Sequence, residues 1–260
     1  MVSDFSSAHD DSATGAEAAR HLRVFPDPET LSRAAARFVA DRIDRALAHR
    51  EHASLALAGG STPRPLYERL AGSLRDAIPW NQVHLFWGDE RYVPHDDPSS
   101  NVQMVRETLL ADAPIPPGNV HPMPTDRDDP EEAAADYADT LHAAFPGEAT
   151  FDLVLLGLGS DGHTASLFPG DPAATAMDSV PWVRAVTAPP RHAVRTRLSL
   201  TLPVINRARS VFFLVSGAAK HDAVDAVLEA QDPTLPPTHV RPQQHATWFL
   251  DEAARFGASR

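Results

Sequence analysis

Residues 151–163 read FDLVLLGLGSDGH, an apolar run of strand length that passes straight into a glycine-rich turn. A strand that is apolar at consecutive positions rather than alternate ones is buried on both faces. That is the signature of a parallel sheet covered by helices on either side. Working outward, the same grammar recurs. SLALAGGSTPRPLYERLAG (54–72) gives a short apolar strand, a Gly-Gly-Ser-Thr turn and a helix, with Ser61 or Thr62 placed to cap that helix and Pro63 near its first turn. VHLFW (83–87) ends at GDER (88–91), and VFFLVS (211–216) leads through GAAKHDAVDAVLEA (217–230) into a helix with Val224, Val227 and Leu228 inward. WVRAVT, LSLTL and ATWFL supply further β-type runs.

The helices between them are legible from their period. ETLSRAAARFVADRIDRALAHR (29–50) sets Leu31, Ala35, Phe38, Val39, Ile43 and Leu47 on one face; SNVQMVRETLLA (100–111) is helical; EEAAADYADTLHAAF (131–145) repeats at Ala133, Tyr137, Leu141 and Phe145. Residues 112–130 carry six prolines, which excludes regular structure there, and residues 1–22 are polar, aperiodic and expected to be a frayed start. With no internal repeat and no convincing linker, residues 23–260 are expected to form a single α/β domain.

Composition narrows the function. The 260 residues hold 23 basic against 35 acidic side chains, a formal charge of −12, and no cysteine. The absence of Cys excludes a disulfide scaffold, a thiolate metal site and a cysteine nucleophile. So acidic a surface disfavours nucleic acid and anionic membranes as partners. No apolar run nears the ~18 residues of a membrane span, and the first twenty residues lack the pattern of a signal peptide. A soluble, cytoplasmic protein is expected. Of the basic residues 22 are Arg and one, Lys220, is Lys, a compact point charge where the rest of the chain uses flat guanidinium forks.

In sheets of this kind ligands gather beyond the carboxyl ends of the strands. Four turns fall there: GGST (59–62), GDER (88–91), GLGSDGH (157–163) and SGAAK (216–220). GGST before a helix is an anion cradle, or else an ordinary capped turn. GLGSDGH contains a literal G-x-G-x-x-G, but Asp161 would put a carboxylate where pyrophosphate must lie, and Pro169 cuts short the helix a dinucleotide needs. What remains is Asp161 beside His163, an acid that can fix one imidazole tautomer and leave the other nitrogen as a proton acceptor. Arg91 and Lys220 add cations to an acidic chain, although Glu90 or Asp89 could pair with Arg91. Such cations, with a helix start, suit a phosphorylated small molecule. Thirteen histidines include no His-Glu-x-x-His spacing, so no metal is expected. Trp87 and Tyr92 are expected to be wall or core.

Taken together, LAGGSTP, GDERYVP followed by SN, LLGLGSDGHTASLFPG, RLSLT, SGAAK and a closing WFLDEAA resemble the 6-phosphogluconolactonases, in order, from about residue 24 to 252. The related glucosamine-6-phosphate deaminases share the cradle and a similar turn, but continue it through Asn-Glu-Pro where this chain has TASLFPG (164–170). The resemblance implies a three-layer αβα arrangement with a mainly parallel sheet, the NagB/RpiA/CoA transferase-like modified Rossmann fold. It also implies hydrolysis of 6-phospho-D-glucono-1,5-lactone to 6-phospho-D-gluconate in the oxidative pentose phosphate pathway. By the same resemblance His163 is the general base, Asp161 supports it, and Arg91 and Lys220 bind the phosphate with Gly60, Ser61 and Thr62. Arg197, in RLSLT, joins the same cleft. No metal or organic cofactor is implied. The expected partner is the phosphorylated sugar lactone, on a monomer or weak homo-oligomer. The rivals are an amino-sugar phosphate deaminase/isomerase, which needs an acid that 164–170 does not offer, and a non-catalytic sugar-phosphate sensor, which has no use for the Asp161–His163 pair.

Overall fold

Five consecutive buried residues, Ala53–Leu57, make a strand with no solvent-facing side, and Leu153–Leu156 and Ser210–Val215 are buried throughout as well. In the computed structural model, which describes residues 19–147, 150–178 and 180–257, the strands are β1 (Ala19–Phe25), β2 (Ala53–Leu57), β3 (Val83–Trp87), β4 (Asp89–Arg91), β5 (Val120–His121), β6 (Leu153–Leu156), β7 (Val183–Thr187), β8 (Thr196–Leu200), β9 (Ser210–Val215) and β10 (His245–Asp251). The helices are α1 (Pro28–Leu47), α2 (Arg64–Ala71), α3 (Asn101–Val105, continued by a π-helical turn over Arg106–Leu110), α4 (Pro130–Ala144), α5 (Leu202–Arg207), α6 (His221–Leu228) and α7 (Glu252–Phe256).

Seven strands form one parallel sheet in the order β1-β10-β9-β6-β2-β3-β5. Its register defines two apolar faces. On one, Phe212 and Phe249 meet Phe38 of α1 and Phe25 packs on Phe249, with ring centroids 4.7–5.3 Å apart. On the other, Phe213 stacks flat on Trp248 at 3.7 Å. There Phe86 also packs against Phe145, the residue that ends α4. Helices on both faces and a sheet buried throughout are the α/β layering that the apolar runs imply. Helix starts follow local chemistry: Asp27 accepts from Thr30 N at 2.7 Å ahead of Pro28, and Asp129 accepts from Glu131 N at 2.9 Å ahead of Pro130. No described helix is long and apolar enough to cross a membrane.

Four expectations need correction. Residues 19–22 are not frayed: they open β1, which pairs along its length with β10; the rest of the expected flexible start, 1–18, lies outside the described residues. The proline-rich stretch 112–130 does hold regular structure, because Val120 and His121 keep free N–H groups between Pro117 and Pro122 and add an edge strand to β3. GDER is not a loop. Gly88 donates to Leu57 O and accepts from Leu200 N, both at 2.9 Å, and so turns the chain from β3 into β4. β4 then pairs with β8 in a separate antiparallel sheet, β4-β8-β7. Finally, neither Ser61 nor Thr62 caps α2. Pro63 sits at the cap position with no side-chain bond, and the Ser61 carbonyl accepts from Arg64 N at 3.3 Å.

Candidate active site

The turns GGST, GDER, GLGSDGH and SGAAK leave the carboxyl ends of β2, β3, β6 and β9, which are adjacent in the order β9-β6-β2-β3. Residues up to 160 apart in sequence therefore open into one cleft of about 300 Å³. Gly60, Ser61, Thr62, Arg91, His163, Arg197 and Lys220 all line it. Asp161 does not reach the lining; it stands behind His163.

His163 Nδ1 lies 2.5 Å from Asp161 Oδ1. An ionised carboxylate accepts, so Nδ1 carries the proton and Nε2 is left as an acceptor. Nε2 has no hydrogen-bond partner among the described residues. Burial by itself would push the Asp161 carboxyl up. Hydrogen bonds from His163 and Arg191 outweigh it and hold the group far below the ordinary carboxylate range. The turn is tight because residue 159 is glycine, whose missing Cβ would fall 2.1 Å from His163 Nδ1. Thr164 Oγ1 closes the turn on Gly157 O at 2.8 Å. Phe168 then packs 4.8 Å from the His163 ring, ring centre to ring centre.

The cations line the same cleft. Arg91 donates from Nη1 to Ser99 O at 2.7 Å and makes no ion pair among the described residues. Glu90, the nearest acid in sequence, is fully buried and spent on other donors: the N–H groups of Arg91, Asn101 and Val102 and the Ser100 hydroxyl, all within 3.0 Å. Burial raises its pKa while those hydrogen bonds oppose the rise. Arg197 lies directly across the ladder from Arg91 and is 4.0 Å from Asp89 Oδ2. Burial lowers its pKa, partly offset by Asp89. The Lys220 ammonium has no hydrogen bond or ion pair among the described residues. Burial lowers its pKa below 10.5, against the pull of Asp161. No protein group among the described residues takes the N–H groups of Gly60, Ser61 or Thr62. A half-enclosed cleft with three guanidinium or ammonium groups and a row of free N–H donors has the chemistry to take an oxyanion of high charge.

Other groups were not foreseen. Asp89 accepts from Ser166 Oγ at 2.7 Å, tying β4 to the segment after His163. Asp251 accepts from Ser216 Oγ at 2.5 Å and Gly217 N at 3.0 Å, and so fixes the turn that carries Lys220. Arg191 and His192, from the stretch between β7 and β8, come down on Asp161 Oδ2. The donor atoms of Asp161, His163 and His192 lie within 4.8 Å of one another, a spacing that could hold a cation. Both Asp161 oxygens are already engaged, one by an imidazole N–H and the other by the Arg191 guanidinium. The cluster is accordingly a hydrogen-bonded one. Trp87 is core, fully buried, and Tyr92 donates to Arg127 O at 2.8 Å.

Known proteins resemble this chain over most of its length. A relative named 6-phosphogluconolactonase from Synechocystis sp. is 47% identical over 83% of this chain and 89% of its own. The crystal structure of 6-phosphogluconolactonase from Thermotoga maritima matches with a TM-score of 0.79 at 32% identity, covering 90% of this chain and all of that one. A monomeric glucosamine-6-phosphate deaminase of the NagB superfamily matches with a TM-score of 0.77 at 23% identity, over 90% of this chain and 98% of that one. That likeness speaks for the fold alone. A family model described as glucosamine-6-phosphate isomerases/6-phosphogluconolactonase matches residues 26–249, which takes in all four turns of the cleft. The chain belongs to the glucosamine-6-phosphate isomerase/6-phosphogluconolactonase family.

Proposed function

We propose that the protein hydrolyses 6-phospho-D-glucono-1,5-lactone to 6-phospho-D-gluconate, the lactone-opening step of the oxidative pentose phosphate pathway. The observation that carries this reading is what one cleft holds together: an Asp-supported imidazole with a free nitrogen, and the cations Arg91, Arg197 and Lys220 with the 60–62 cradle. The cations and N–H donors grip the 6-phosphate and so fix where C1 of the lactone lies. His163 Nε2 takes a proton from water as the water oxygen bonds to C1. When the tetrahedral intermediate collapses, the bond from C1 to the ring oxygen breaks and His163 returns its proton to that oxygen. A lactone is an activated ester, so no covalent nucleophile is needed. One base contributes about 10²–10⁴-fold and fixed geometry supplies the rest.

The deaminase reading fares worse for a specific reason. That reaction needs an acid after GLGSDGH, residues 164–170 offer none, and the side chain from that segment packed on the His163 ring is Phe168, which is buried. The test is direct. Freshly made lactone is supplied and acid release is followed against spontaneous hydrolysis, with ammonia release from glucosamine 6-phosphate measured in parallel. Acceleration of lactone opening alone is expected; ammonia release, or acceleration of neither, would overturn the assignment.

A further inference from the structure

Asp161 uses one oxygen on His163, and the other is not left to water. Arg191 donates to Oδ2 from Nη2, and His192 Nε2 faces the same oxygen at 3.5 Å. Both residues belong to the stretch between β7 and β8, whose base is closed by Ala188 N on Arg195 O at 2.8 Å and Arg195 Nε on Ala188 O at 3.1 Å. The His192 ring is not loosely placed. It packs 5.0 Å from Phe168 and edge-on to His163 at 5.4 Å, and Arg197 Nη2 approaches its Nδ1 at 3.5 Å. A guanidinium only donates, so His192 Nδ1 is the acceptor and its Nε2 carries the proton toward Asp161. Burial and the nearby Arg197 lower its pKa, against the pull of Asp161. Arg191, by contrast, brings a full charge while its side chain stays more than half exposed.

We propose that Arg191 is a positioning residue of the reaction centre: by neutralising Asp161 from the side opposite His163, it sets how readily His163 is protonated, and His192 holds the stretch in place. This rests on the reading of His163 as the base. An unshielded carboxylate at 2.5 Å would favour imidazolium and take the base out of use as pH falls; a guanidinium on that carboxylate opposes the added proton. The other charged groups facing the pair are Arg197 from β8, Arg91 and Asp89 from β4, and Lys220 from the turn after β9. None of these donates to Asp161 Oδ2, so their influence is common to wild type and variant.

The discriminating experiment needs no substrate. The full-length protein is titrated by NMR through the His163 ring signals, in wild type, Arg191→Gln and Arg191→Lys. In Arg191→Gln the His163 midpoint is expected to rise by about half to one pH unit, and Arg191→Lys is expected to recover most of that shift. With the lactone, the acid limb of kcat/KM should move by the same amount while the high-pH plateau stays within about threefold. Because Arg191 is exposed, thermal midpoints should match wild type. A His163 midpoint that does not move, or loss of activity equal at every pH, would overturn the proposal. If no variant nor the wild type opens the lactone, the titration alone still decides the role of Arg191, and the functional reading fails separately.

Discussion

Arg91 and Arg197 stand directly opposite each other in the β4–β8 ladder, with both side chains on the cleft. Like charges facing across an antiparallel pair destabilise it, by the mirror of the roughly 0.2–1 kcal/mol that opposite charges contribute. Asp89 relieves Arg197 at 4.0 Å, while Arg91 is left with a carbonyl. The empty cleft is therefore held in mild repulsion that a bound dianion reverses. Arg91→Gln should keep or slightly raise the unfolding temperature in anion-free buffer. It should also lose most of the upward shift that 6-phosphogluconate gives the wild type, which at a hundredfold excess over Kd corresponds to about 2.7 kcal/mol. An undiminished ligand shift in the variant would take Arg91 out of the phosphate end.

The imidazole and its carboxylate meet only because residue 159 has no side chain. A Cβ there would lie 2.1 Å from His163 Nδ1 and 2.3 Å from Asp161 Oδ1. Gly159→Ala should part the pair and lower turnover by about a hundredfold, close to the effect of His163→Ala, for which about 10²–10⁴ is expected. Both variants should melt near the wild-type temperature, since the residues concerned lie at the cleft and not in the core. Initial rates corrected for spontaneous hydrolysis, read beside thermal melts, check this. A fully active Gly159→Ala would mean that the Asp161–His163 contact is dispensable.

Lys220 makes its contribution through charge, and burial weakens its hold on that charge. Its pKa in the empty cleft is below 10.5, and a bound phosphate draws it back up by favouring the ammonium. The sign follows: affinity is full while Lys220 is protonated, and falls as pH rises through the lowered value, with proton uptake on binding in that window. The arginines stay charged throughout. Calorimetric titration with 6-phosphogluconate from pH 7 to 10 should show affinity falling in wild type and staying level, at a weaker value, in Lys220→Ala. The same variant should lose far more activity on phosphorylated lactone than on an unphosphorylated one. Equal losses on the two would argue against contact between Lys220 and the phosphate.

Much of this site was legible because the chemistry sits in turns that follow strands. FDLVLLG, SLALAGG, VHLFWG and VFFLVSG each announce a buried strand and then release a short functional segment at its carboxyl end. Local pattern therefore located Gly60, Ser61, Thr62, Arg91, His163 and Lys220 at one edge of the sheet. What escaped depends on pairing between distant segments. Nothing in GDER signals that it is a strand, since its partner, β8, lies more than a hundred residues on. Arg191 and His192 follow two prolines in a stretch with no local pattern, and only the closure of that stretch over Asp161 gives them meaning. Ser61 and Thr62 are natural cap residues, yet Pro63 takes the cap position and leaves their hydroxyls to the cleft.

Asp251 offers the sharpest separation of positioning from mere support. It is the last residue of β10, buried, and gathers donors from two directions: Ala254 N at 2.7 Å, which starts α7, and Ser216 Oγ and Gly217 N, which begin the turn to Lys220. Asp251→Asn keeps one carbonyl oxygen but turns the other acceptor into a donor facing donors. A stability loss of about 1–3 kcal/mol is expected from the unmet groups. On the phosphorylated lactone KM should rise about tenfold while kcat changes little, because His163 stands on a different strand end. A purely structural role would lower activity on any lactone in any background. If the turn's purpose is to present Lys220, the KM effect should shrink on unphosphorylated lactone and nearly vanish when Lys220→Ala is already present, a non-additivity that a double-mutant cycle measures. Additive losses would assign Asp251 to the fold alone.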